Sequence, residues 1–227
     1  MLLASGAGLA AAGATAGRAG AQSSRSGRAI VGFPAGGTAD LVTRLYVEQL
    51  RKAFGTQMIV ENRPGAGGRL ALETLKPLAP DGSAFLITPA SMMTIYPHLY
   101  TRTLRYQALE DFTYVTPVCE FAFGFAVAKA HPAHSVSDFI TWAKAHGMVD
   151  WASPVPGSAP HFMGTQLAAA AGLSMNHVPY RGSAPAVQDL LAGTIKAVIL
   201  PIGDVSTFHR SGDARVLAVT SAERLPR

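Results

Sequence analysis

AIVGFPAGGTADLVTRLYVEQLRKAFG, residues 29–55, runs from an apolar segment through a glycine-rich turn into a stretch of helical spacing. Ile30, Val31 and Phe33 read as a strand. Leu41, Val42, Leu45, Tyr46 and Leu50 recur at the helical period, with Gly55 as the stop. Between them, Gly36 and Gly37 let the backbone approach another group closely, and Thr38 and Asp40 are placed to cap the helix. A strand–loop–helix unit of this kind normally belongs to a parallel sheet covered by helices.

The same alternation continues along the chain. Met58–Val60 and Ala84–Ile87 read as further strands, with a helix through Leu70, Leu72 and Leu75 between them. Residues 113–128 suggest an extended pair or one long strand, a crossing between two lobes. A helix over Val136–His146 follows, capped by Ser135 and stopped by Gly147. Strands at 149–152, 175–178, 195–200 and 216–219 then alternate with helices at 162–171 and 184–192. The pattern predicts an α/β chain of two lobes with mainly parallel sheets, in which a ligand sits at the carboxyl ends of the strands.

Composition narrows the functional classes. The chain has 227 residues, room for one large or two modest domains, and only 15% of them are charged. The formal charge of +5 comes from scattered Lys and Arg without a basic run, which argues against nucleic acid. Cys119 is the sole cysteine, so no internal disulfide forms, and its apolar neighbours suggest a buried, inert thiol. His131 and His134 flank Pro132 without the spacing that would complete a metal site. Residues 62–68, NRPGAGG, partly imitate a dinucleotide fingerprint, but Leu70 stands where the last glycine belongs. No cofactor is expected.

Residues 1–21 contain no acid and end in Ala19-Gly20-Ala21, which fits a signal peptide and export to the periplasm, although the basic start is missing. Residues 22–29 then form a linker. Beyond the leader, no run of apolar residues is long enough to span a membrane.

Four small-residue loops follow apolar runs, and these hold the candidate site. The first contains Pro34, Ala35, Gly36, Gly37, Thr38 and Asp40, and the second contains Ser91 and Thr94. Ser153, Gly157, Ser158 and His161 belong to the third; Tyr180, Arg181, Gly182 and Ala184 belong to the fourth. Neutral N–H and O–H donors at helix starts favour a small anion, and Arg181 is able to clamp a carboxylate in bidentate fashion. Ser158 and His161 also allow a nucleophilic pair, though no orienting acid accompanies them.

Several strings together resemble the Bug/TctC family of extracytoplasmic solute receptors: FPAGGTAD (33–40), VENRPGAGGRLALE (60–73), PDG (80–82), HVPYRGSAPAVQDLLAG (177–193) and RVLAVTSAER (215–224). The resemblance implies a two-lobed, type II periplasmic-binding-protein fold, with residues 30–118 as the first lobe and 119–227 as the second lobe and the start of a return to the first. It implies a monomer that binds a small organic carboxylate through loop backbone and bridging waters. The partners it implies are the membrane permease subunits of a tripartite tricarboxylate-type transporter. Carried over position by position, it assigns the loop residues named above to the ligand site, with Asp40 bracing its loop rather than touching the anion.

Two departures from the family pattern stand out. Pro154, Val155 and Pro156 replace smaller and more polar residues, and each proline deletes a backbone donor. Leu200-Pro201 replaces a polar pair, taking polar groups from one wall of the cleft. Family members also continue past the LAVTS strand, so the resemblance implies that the last part of the first lobe is missing. Two other classes stay open on sequence alone: a hydrolase-like enzyme of small acids using Ser158 and His161, and a ligand-sensing module for a signalling partner.

Overall fold

The computed structural model describes residues 26–225; the leader at 1–21 lies outside them. Strand β1 (Gly27–Val31) pairs in parallel with β2 (Met58–Asn62) on one side and β3 (Ala84–Leu86) on the other. Ala29, Ile30 and Val31 are fully buried because this central strand is covered on both faces. The strand starts at Gly27, inside the segment expected to be a linker.

Helix α1 (Thr38–Phe54) ends at Gly55, whose φ of 62° is the left-handed cap anticipated from the sequence. Only part of its apolar surface is buried in this chain. Thr43 and Val47 are buried, whereas Leu41 and Leu45 are 58% and 54% exposed. Periodicity identifies a helix and its stripes; the neighbours present decide which stripe packs.

The first sheet is accompanied by α2 (Arg69–Leu75) and two short helices, α3 (Ser91–Thr94) and α4 (Tyr96–Leu99). Leu72, Met92, Tyr96 and Tyr106 form its core, with Tyr96 and Tyr100 edge to face at 5.0 Å. Residues 113–122 form no strand, contrary to the extended reading. Pro117 lacks a donor, no strand pairs with the segment, and Tyr114 and Val115 stand in solvent. Cys119 is exposed rather than buried for the same reason.

The second lobe is built on five strands in the order β6-β5-β7-β4-β8: β4 (Phe123–Ala128), β5 (Val149–Ser153), β6 (Met175–Pro179), β7 (Ala197–Pro201) and β8 (Ala214–Val219). β5 is parallel to β6 and β7, but β4 runs antiparallel to both β7 and β8. The sheet is therefore mixed, because β4 enters from the first lobe in the opposite sense.

Alternation along β4 divides the core. Phe125 and Val127 pack with Trp151, Ala197 and Phe139 of α5 (Val136–His146) on one face. On the other, Ala126 meets Val198, Leu200 and the buried Val187 and Leu190 of α7 (Ser183–Leu191). Ser135 accepts from the Asp138 amide at 3.1 Å, the cap expected for α5.

Two helices remain. α6 (Ala159–Ala171) follows β5, and α8 (Ile202–Ser211) directly follows β7. α8 is invisible to periodicity: its Gly, Asp, Ser and Thr are weak formers, and burial of Val205 stabilises it. Among the described residues, no helix is long and apolar enough to cross a membrane.

Candidate functional site

Each predicted loop follows the carboxyl end of a strand, and loops from the two sheets face one another. Residues 32–37 follow β1 and 87–90 follow β3; 154–158 follow β5 and 180–182 follow β6. The lobes touch at several points. Tyr100 donates to the Pro156 carbonyl at 3.3 Å, and a Cβ on Gly157 (φ 80°) would lie 2.5 Å from Leu99 Cδ2. Gly182, with φ of 136°, packs on Pro34, where a Cβ would sit 3.3 Å from Cδ. Both positions favour glycine on conformation, and the close approach leaves little room for a side chain.

The first loop is braced by Asp40, as expected. Its carboxylate accepts from the Gly36 amide at 3.0 Å, Arg44 Nε at 2.9 Å and Asn62 Nδ2 at 2.9 Å. Burial alone would raise its pKa, but the hydrogen bonds from Arg44, Asn62 and Gly36 outweigh it and hold the group below its ordinary value. Asn62 also donates to the Phe33 carbonyl at 3.0 Å, tying the end of β2 to the start of the loop. Thr38 points its donors elsewhere: its amide and hydroxyl reach Asp204 of α8 at 2.8 and 2.6 Å. The wall after β7 is therefore not stripped of polar groups. Leu200 is wholly buried, but Asp204 restores a carboxylate four residues later.

The third loop is folded inward on itself. The Val155 carbonyl accepts from Ser158 Oγ at 2.6 Å and the Ser158 amide at 3.3 Å, and Ser153 Oγ lies 3.2 Å from it. Both serines are buried. Ser158 and His161 do not form a nucleophilic pair: the hydroxyl is committed to Val155, while His161 Nδ1 accepts the Gly157 amide at 3.0 Å. The serine that does meet a histidine is Ser153, with Oγ 2.9 Å from His177 Nε2 and its amide donating to that nitrogen at 3.2 Å. An amide can only donate, so His177 Nε2 and His161 Nδ1 are unprotonated acceptors, and the Ser153 hydroxyl at 2.9 Å donates to Nε2. The two rings lie 4.1 Å apart, with His177 also against Trp151. Burial, with His161 adding to it, drives His177 down to about 4; burial also lowers His161.

The remaining residues divide. Tyr180 donates to the Asp189 carboxylate on α7, and burial with that contact pushes the phenol up to about 12. Arg181 is exposed and makes no hydrogen bond or ion pair among the described residues. Ser91 is half-buried at the start of α3, while Thr94 donates to the Ala90 carbonyl at 3.1 Å. Ala35 is exposed beside Pro34. A cavity of about 320 Å³ opens between the lobes, and it gathers Gly36, Gly37 and Ala184 together with Asp204, Gln188 and Phe208. The other candidates do not line it. His177, Asn62, Tyr100 and Asp204 are the site residues that sequence reading missed. Asn62 and His177 lay inside quoted motifs, but nothing local marked Tyr100 or Asp204. Among the described residues, no group of three His, Cys, Asp or Glu is placed to hold a metal.

Comparison with known proteins extends the picture. BugT of Bordetella pertussis is 32% identical over 196 residues, covering 86% of this chain and 60% of that protein. A solved structure from Rhodopseudomonas palustris with adipate superposes with a TM-score of 0.83 at 28% identity, covering 88% of this chain and 67% of its own. MatC of the same organism, with bound malate, gives 0.79 at 26% identity, covering 88% and 68%. Other solved neighbours are periplasmic binding proteins, so the two-lobed architecture is that of this fold. The chain spans 52% to 60% of the length of three curated relatives, BugT among them. Residues 42–227 match the model of the tripartite tricarboxylate transporter family receptor, TctC, and the chain belongs to that family.

Proposed function

We propose that this chain is the solute-binding component of a periplasmic receptor, capturing a small organic carboxylate between its lobes and delivering it to the membrane permease subunits of a tripartite tricarboxylate-type transporter. The family and the structural neighbours are receptors rather than enzymes, and two of those neighbours hold adipate and malate. The observation that carries the reading is the meeting of strand-end loops from both sheets, with Pro34 against Gly182 and Tyr100 against Pro156. A ligand held between them touches both lobes and stabilises their closure. Residues 30–118 form the first lobe and 119–227 the second lobe and the start of a return to the first. The 33–38, 88–91, 153–158 and 180–184 loops surround the carboxylate, which is met by bridging waters and by those loop donors not already spent within the protein.

Calorimetric titration of the 227-residue chain with adipate, malate and a panel of mono-, di- and tricarboxylates tests this. The expected result is saturable binding with the ligand recovered unchanged, and a melting midpoint that rises with ligand concentration. At one hundred times Kd the gain is about 2.7 kcal/mol. A cooperative melt that no carboxylate shifts refutes the reading.

A further inference from the structure

α1 begins without a cap of its own. Its N-cap residue, Gly37, has no side chain, and no side-chain cap from within the loop replaces it. A helix start leaves four amides without helical partners and carries a partial positive charge, so it attracts an anion. The anion present is Asp204, delivered from the other lobe 166 residues away. Its Oδ1 accepts both the Thr38 amide at 2.8 Å and the Thr38 hydroxyl at 2.6 Å. The preceding Gly203 lets α8 approach, since a Cβ there would lie 3.0 Å from Thr38 Oγ1. Asp204 borders the interlobe cavity beside Gly36 and Gly37.

We infer that Asp204 is a built-in carboxylate for the first loop, taking the place of an external anion at the start of α1 and holding the lobes closed with no solute bound. The contact is interlobe, charge-assisted and two-donor, which biases the closed over the open arrangement by about ten- to hundredfold. It also changes what the first loop offers to a ligand. The Gly36 amide is held by Asp40 and both Thr38 donors by Asp204. A solute carboxylate therefore finds its donors elsewhere, or displaces Asp204 against like-charge repulsion.

The inference rests on the receptor reading only in taking the interlobe cleft as the place of the solute. Its test is the distance between spin labels on Lys52→Cys, at the exposed end of α1, and Lys144→Cys on α5, in a Cys119→Ser chain without solute. The parent chain is expected to show one short distance population. Asp204→Ala is expected to gain a longer one. Identical distributions for parent and Asp204→Ala overturn the inference. If Asp204→Ala does not fold, Thr38→Val removes one of the two donors; it is expected to open the cleft in the same direction by less, and no change overturns the inference. Carboxylate binding in a chain that Asp204→Ala does not open removes the latch alone. An opening with no binding of adipate, malate or the wider panel removes the receptor reading alone.

Discussion

Acidification is expected to loosen the 153–158 loop through His177. The imidazole accepts the Ser153 amide at 3.2 Å and sits 4.1 Å from the His161 ring, which accepts the Gly157 amide. A proton on Nε2 removes the acceptor and adds a charge beside a second imidazole. Burial, with His161, brings His177 from 6.5 to about 4. Between those values the unfolded chain holds a proton that the folded chain lacks, so stability rises with pH across the window. The contribution is complete above about pH 6.5 and is lost as pH falls toward about 4. At about 1.4 kcal/mol per unit the full drop corresponds to about 3 kcal/mol, and solvent screening of the half-buried ring trims this to about 2 kcal/mol. Urea unfolding at intervals from about pH 8 to about pH 4, on the parent chain and on His177→Gln, reads the effect. The parent should lose about 2 kcal/mol more than the variant over the window. Equal pH slopes for the two chains would refute the reasoning.

Three further outcomes follow from the geometry. Asn62→Ala removes donors to Asp40 and the Phe33 carbonyl, so the first loop should loosen; a loss of about 1–2 kcal/mol in urea unfolding and faster amide exchange at Gly36 are expected. Ser135→Ala deletes the cap of α5 and should cost about 1 kcal/mol, measured as a lower melting midpoint with carboxylate binding unchanged. Leu190→Ala opens a cavity where α7 meets the second sheet and should cost about 2–5 kcal/mol by chemical denaturation.

Local sequence determined much of this molecule because the relevant forces are local. Gly55 and Gly147 stop their helices, Ser135 starts one, and the apolar runs at 58–60, 84–86, 149–152 and 175–178 are β-strands. The four loops were legible because each follows a strand and carries Gly, Ser or Thr. Asp40's bracing role came from the family resemblance; local reading made it a cap of α1, whereas its carboxylate accepts from the Gly36 amide. What the sequence concealed was everything that depends on a partner far along the chain. Ser158 and His161 look like a pair because they are three residues apart, yet the fold assigns each to a backbone group and gives Ser153 to His177, 24 residues away on the neighbouring strand. Cys119 sits among apolar residues and still lies in solvent, since an apolar run is buried only where another surface covers it. The outward face of α1, the antiparallel entry of β4 and the burial that makes α8 a helix are of the same kind. Asp204 is the clearest case: at its own position it is one acid in a weak helix, and only closure of the two lobes sets it against Thr38, because an ion's best partner is chosen by distance in space and not along the chain.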